Sequence, residues 1–109
     1  MNKAQVEFVT RIVTECGPGV GTEQAGDAAL RLMQLARKAQ RYNLLHCNVG
    51  LTPKQEKASE KVDQEVSDIA QTLGIKVKSQ GDPRGYAIRV YLPSGMSNSF
   101  AGDGYGVPA

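Results

Sequence analysis

The feature that most constrains the fold is a change in the spacing of apolar residues at Gly74. Before this glycine, apolar residues recur every three or four positions, which is typical of amphipathic helices. After it, Ile75 and Val77 alternate with Lys76 and Lys78. A period of two is that of a β-strand with one buried face. Because helices come first and strands follow, the pattern predicts the α+β class, with N-terminal helices packed on a small antiparallel sheet of two to three strands.

Three helices are predicted, over residues of about 3–16, 23–46 and 53–73. The third has the clearest boundaries, because Thr52 and Gln55 form a capping-box pattern around Pro53. Gly74 is a typical C-terminal glycine for this helix. The glycine-rich run at residues 17–21 predicts a break after the first helix. The short connection between the second and third helices predicts a long antiparallel helical hairpin.

Strands are predicted over residues of about 75–80, 85–92 and 96–100, followed by a glycine-rich tail at 101–109. Residues 81–85 read Gly-Asp-Pro-Arg-Gly, and their Asp, Pro and final Gly occupy preferred positions of a type I turn. This turn predicts a hairpin between the first two strands. We expect one face of the sheet to pack on the helices, and that face carries Tyr86, Ile88, Val90 and Leu92.

Length and composition narrow the classes of function. A chain of 109 residues is expected to form a single domain over residues 1–109. The formal net charge of +2 is too small to indicate nucleic-acid or membrane binding by itself. The chain has no long apolar run, and its two cysteines do not make the framework of a secreted scaffold. We therefore expect a cytoplasmic protein with no membrane span; the oligomeric state stays open between monomer and homodimer.

The chain carries no complete catalytic or metal-binding motif. His46 and Cys47 are adjacent, and Cys16 lies far away in the sequence. A structural zinc site needs four ligands and a catalytic one usually three, and a CxxC pair is absent here. We expect a protein that is not an enzyme, with no catalytic residue, no metal and no other cofactor.

The candidate partner-binding residues lie in the turn, the second strand and the tail: Arg84, Arg89, Tyr91, Asp103 and Tyr105. The third position of a type I turn does not require arginine, and a guanidinium at a rigid tip suits a carboxylate or phosphate. The arginine and tyrosine of the second strand lie on the face opposite its apolar residues. The tail offers two polar or aromatic side chains among glycines. The alternative is that these residues only form a hairpin and a solvated surface.

Two further hypotheses follow from other segments. Arg31, Lys38 and Arg41 form a basic stripe on the second helix and, together with the sheet, are candidate nucleic-acid contacts. The glycine-rich tail could instead act as a lid over Arg84 in a protein that binds or sequesters a nucleotide or another small molecule.

Several segments together resemble small proteins encoded by bacteriophages and prophages, mostly of unassigned function. These segments are His46-Cys47-Asn48, Leu51-Thr52, Gln80-Gly81-Asp82-Pro83-Arg84-Gly85, Leu92-Pro93-Ser94-Gly95 with Asn98, and Gly104-Tyr105-Gly106-Val107-Pro108. The resemblance covers residues of about 28–108 and implies a phage accessory protein acting in the host cytoplasm on a host protein or complex. Its most concrete form is an inhibitor of a host defence system, anti-CRISPR-like or of another kind. Some of these proteins carry extra cysteines that suggest a zinc insert, and this chain lacks them.

Overall fold

The computed structural model describes the backbone of residues 3–82, 85–95, 97–101 and 106–108, and the side chains of residues 3, 5–78 and 89–95. Its elements are, in chain order, α1 (Lys3–Val20), α2 (Thr22–Asn48), α3 (Pro53–Leu73), β1 (Lys76–Asp82), β2 (Gly85–Tyr91), β3 (Ser97–Ala101) and β4 (Gly106–Pro108). Three N-terminal helices are followed by an antiparallel sheet, so the predicted α+β class is confirmed.

The sheet has four described strands in the order β1-β2-β3-β4, each antiparallel to its neighbour. This is one strand more than the two to three expected, because β4 lies in the segment expected to be a glycine-rich tail. Gly106 pairs with Phe100, and Val107 pairs with Ser99. A short glycine-containing segment lacks strand propensity of its own, but a neighbouring strand supplies its backbone hydrogen bonds.

The first helix is longer than predicted, and the break expected over residues 17–21 is confined to Gly21. α1 continues past Pro18 to Val20, and Gly21 alone separates it from α2. Gly21 has a φ of 100° and a ψ of 140°, a conformation that favours glycine. Cys16, just before the Gly-Pro-Gly segment, is buried in the core. Packing next to this segment offsets its weak local helix preference.

The ends of α3 match the sequence pattern. The Gln55 backbone N–H donates to Thr52 Oγ1 at 3.2 Å, and the Thr52 N–H donates to Gln55 Oε1 at 2.9 Å. Gly74 ends the helix with a left-handed φ of 71°. α2 and α3 run antiparallel, since Gln24 lies near Thr72 at one end of their groove and Tyr42 lies near Ala58 at the other.

The three helices form one layer and the sheet forms a second. α1 lies against β4, α2 against β2 and β3, and α3 against β1. One hydrophobic cluster joins the layers, and its largest fully buried side chains are Phe8, Ile12, Leu35 and Val90. Ile75 and Leu92, at the ends of the first strand pair, also belong to this cluster. The helices therefore fix which face of β1 and β2 is left open.

Candidate binding face on the sheet

Burial of Val90 determines where its two neighbours on β2 point. Val90 is 1% exposed and packs in the core, whereas Arg89 and Tyr91 are only half-buried. Successive side chains of a strand point to opposite faces. Arg89 and Tyr91 therefore lie on the face away from the helices, where the alternation predicts them. Their role in binding stays a prediction.

The register of the first hairpin adds two lysines to this face. Lys78 pairs with Arg89, and Lys76 pairs with Tyr91. Directly opposite residues of an antiparallel pair share a face. Both lysines are exposed, and Lys78 Nζ lies 6.0 Å from the centroid of the Tyr91 ring, at the outer limit of a cation–π contact. We call these four residues, Lys76, Lys78, Arg89 and Tyr91, the open face.

The open face concentrates positive charge around one aromatic ring. Three of its four described side chains are cationic and none is a carboxylate. Like charges placed opposite each other, such as Lys78 and Arg89, repel, and the repulsion is relieved when an anion binds between them. The ladder of β1 and β2 sets the spacing of these groups along the two strands.

The backbone ladder continues from β2 onto β3 and β4. Ser97 lies opposite Tyr91, and Ser99 lies opposite Arg89. Val107 on β4 lies in turn opposite Ser99.

Three of the five predicted partner-binding residues, Arg84, Asp103 and Tyr105, lie outside the described residues. The small-molecule hypothesis depends on the same segments and stays a prediction. Lys76 and Lys78 are absent from the set predicted from sequence. Counting outward from the pair Asp82–Gly85 places Lys78 opposite Arg89, so the turn carried the signal that would have identified them.

The predicted basic stripe on α2 is partly neutralised. Arg31 forms a bidentate ion pair with Glu65 of α3: its Nε and Nη2 each donate to one carboxylate oxygen, the latter at 2.8 Å. Its Nη1 donates to Gln34 Oε1 at 3.0 Å. Hydrogen bonds from Arg31 hold the pKa of Glu65 below its usual value, and the charge of Lys38 acts in the same direction. The guanidinium of Arg31 therefore uses its charge and hydrogen-bond donors in contacts inside the protein.

The other two residues of the stripe line a groove between α2 and α3. Lys38 and Arg41 border it from α2 and Lys61 borders it from α3, around a volume of about 250 Å³. Asp27 and Asp68 line the next groove along the same helix pair, so acidic side chains lie next to the basic side chains of the stripe. The stripe is a mixed-charge surface rather than a continuous cationic track.

A larger groove, of about 530 Å³, separates α3 from β1. Its apolar lining comes from Val66 and Ala70 of α3 and from Ile75 and Val77 at the start of the first strand. Asp63 lies among the polar residues of the lining, and burial together with nearby Glu60 raises the pKa of its carboxyl group. We call this cavity the edge groove, because β1 lies at one edge of the described sheet.

The described candidate metal ligands do not form a cluster. Cys16 is buried, and burial together with the charge of Glu15 raises the pKa of its thiol. Cys47 is exposed at the end of α2, with Asn43 Oδ1 3.9 Å from its sulfur. Within the described part of the chain, no three His, Cys, Asp or Glu side chains are close enough to hold a metal ion.

Among residues that the structure describes, no helix is long and apolar enough to cross a membrane. No protein family, curated protein or solved structure matches the chain.

Proposed function

We propose that this chain is a non-enzymatic accessory protein of phage origin that binds a host protein or complex in the host cytoplasm. The open face is the contact surface, and Arg89 and Tyr91 lie at its centre. The observation that carries the proposal is the placement of three cations around Tyr91 on two paired strands. Arginine and tyrosine are enriched among residues that dominate binding energy at protein interfaces.

A protein partner fits this surface better than a polyanion does. The described cations of the sheet occupy two neighbouring strands, and the basic stripe on α2 is interrupted by the pair between Arg31 and Glu65. A local acidic patch matches a small cationic surface, whereas nucleic acid requires a basic track along its backbone.

Capture of the partner from host extract tests this proposal. Tagged wild-type protein should recover one stoichiometric host protein or complex. The double substitution Lys78→Glu/Arg89→Glu should weaken that binding at least about tenfold, because like-charge contacts at an interface are strongly unfavourable. Isothermal titration with the purified partner measures the change.

The matched control is Lys54→Glu/Lys57→Glu, which changes the net charge equally at two exposed positions of α3. It should bind within about twofold of wild type, since charge changes away from an interface alter affinity little. Absence of any stoichiometric partner would contradict the proposal, as would equal loss of binding in both variants.

The anti-defence role rests on the resemblance to phage proteins and has its own test. Expression of the chain in a host with an active defence system should raise the plating efficiency of a sensitive phage. The open-face variant should lose this effect and the control variant should keep it. No rise in any defended host would argue against this role and leave partner binding to be judged separately.

Nucleic-acid binding is the second candidate, favoured by one observation. Tyr91 beside Lys78 resembles the combination of stacking ring and cation found in proteins that bind single strands. This candidate predicts binding of labelled single-stranded DNA at low salt, with the logarithm of affinity falling linearly with the logarithm of salt concentration. No anisotropy change at low salt would eliminate it.

A further inference from the structure

β1 lies at one edge of the sheet. In the described strand order it pairs with β2 on one side, and no described strand lies on its other side. An edge strand presents backbone N–H and C=O groups that another extended chain can pair with. The opposite edge strand, β4, has three residues and lies against α1. β1 is therefore the longer of the two edges, with seven residues.

The edge groove runs beside this strand. Val66 and Ala70 form the apolar part of its wall on α3, beside the polar residues Asp63, Ser67 and Gln71. The strand contributes Val77 together with Lys76 and Lys78. A groove between a helix and an edge strand is the arrangement in which an added strand places alternate side chains into a pocket. Its volume of about 530 Å³ is large enough to take several side chains.

We propose that β1 and the edge groove bind an extended segment of a partner protein in which acidic and apolar residues alternate. The segment adds to the sheet as a further strand beside β1. Its residues opposite Lys76 and Lys78 share their face and are acidic. Its intervening residues point towards α3 and are apolar, to match Val66 and Ala70.

Charge selects this occupant over a second copy of the chain. Lys76 and Lys78 are exposed on the same face of β1. Two antiparallel copies joined edge to edge into one sheet would bring four lysines onto one face, since directly opposite residues share it. Edge lysines discourage such self-pairing. The same two lysines attract a strand that carries carboxylates at alternate positions.

The inference rests on the proposed binding role and adds the backbone conformation and side-chain pattern of the partner. It also separates two contacts on the protein. The edge groove would hold an extended segment, while Arg89 and Tyr91, one strand further in, would contact the body of the partner.

A synthetic peptide tests the inference without the host partner. The probe is a short, blocked, fluorescein-labelled peptide of alternating glutamate and valine. Anisotropy should show saturable binding to wild-type protein, and amide shifts in NMR spectra should change most along β1 and the facing side of α3. Lys76→Glu/Lys78→Glu should weaken binding at least about tenfold.

Two glutamines of α3 provide a matched pair of variants. Gln71 is exposed and lines the edge groove, so Gln71→Phe should fill the groove and weaken binding at least about fivefold. Gln64 is exposed on the same helix, away from the lining, so Gln64→Phe should bind like wild type. Circular dichroism checks that both variants are folded.

Several outcomes would overturn the inference. They are equal binding of a lysine-valine peptide, no effect of Gln71→Phe, or a dimer in sedimentation equilibrium that Gln71→Phe dissociates. Failure with the peptide would leave the proposed function standing if Lys78→Glu/Arg89→Glu still loses the host partner. The proposed function would instead be contradicted if neither Lys78→Glu/Arg89→Glu nor Gln71→Phe changed the capture of the host partner.

Discussion

Two regions of this protein look equally basic in the sequence but differ in the folded structure. The stripe on α2 carries Arg31, Lys38 and Arg41, and the open face carries two lysines and an arginine. On α2, the guanidinium of Arg31 forms an ion pair with Glu65 of α3. On the sheet, the register brings Lys78 opposite Arg89.

The difference shows that a cationic residue signals binding only when its neighbours are known. A bidentate pair with a carboxylate uses the donors of an arginine, so that residue is less available to a phosphate. Cations gathered on one face raise each other's electrostatic energy and favour an incoming anion. The contrast favours the sheet over the helix stripe as a binding surface, and four measurements would break or sharpen it.

The largest effect is expected from removing the support beneath the open face. Val90 is 1% exposed and lies opposite Val77 in the strand ladder. Val90→Ala removes two buried methyl groups and should lower the free energy of unfolding by about 2 kcal/mol. Guanidinium denaturation measures this loss. A change below about 0.5 kcal/mol would mean that the sheet is not anchored through this residue.

The next effect separates the two basic regions in partner binding. Lys38→Glu/Arg41→Glu on the helix should leave affinity for the host partner within about twofold, because these residues lie away from the proposed interface. Lys78→Glu/Arg89→Glu on the sheet should cost at least about tenfold, or about 1.4 kcal/mol. Titration calorimetry compares the two variants at equal net charge. Reversal of the order would restore the helix stripe as the binding region.

A smaller effect, on stability, is expected from removing the ion pair between Arg31 and Glu65. Glu65→Gln should lower the free energy of unfolding at neutral pH by less than about 1 kcal/mol, since the side chains of Arg31 and Glu65 are 37% and 41% exposed. The folded state lowers the pKa of Glu65. The ion pair therefore stabilises the folded state fully above the usual glutamate pKa. This stabilisation is lost as the pH falls through the lowered pKa of Glu65 in the folded state.

Urea denaturation of wild type and Glu65→Gln across the acid range checks this sign. The difference in unfolding free energy between the two proteins should shrink as the solution becomes more acidic. The same substitution should increase retention on a polyanion column, because it leaves the cations of the helix stripe uncompensated. A difference that grows in acid would contradict the role given to the ion pair.

The smallest effect on stability is expected on the open face itself. Lys78→Glu removes the distant contact with the Tyr91 ring but places a carboxylate opposite Arg89. These changes oppose each other, so the free energy of unfolding should change by less than about 0.5 kcal/mol. Thermal unfolding measures it. A larger loss would show that Lys78 supports the fold and would weaken its use as a probe of binding.

Much of the fold could be predicted because its signals are local. The caps of α3 depend on residues within a few positions of each other, and Thr52, Gln55 and Gly74 behave as their types predict. The end of α1 could not be predicted in this way. It continues through Pro18 beside Cys16, which packs in the core shared with the other elements.

The sequence by itself determined the α+β class, the helical hairpin and the face of β2 that carries Arg89 and Tyr91, because periodicity and capping are short-range properties. Only the tertiary structure decided that Glu65 compensates Arg31 and that β1 borders a groove. Both facts depend on contacts between residues far apart in the chain. Ion pairing between helices and groove shape arise when those residues meet, so composition and spacing alone do not reveal them.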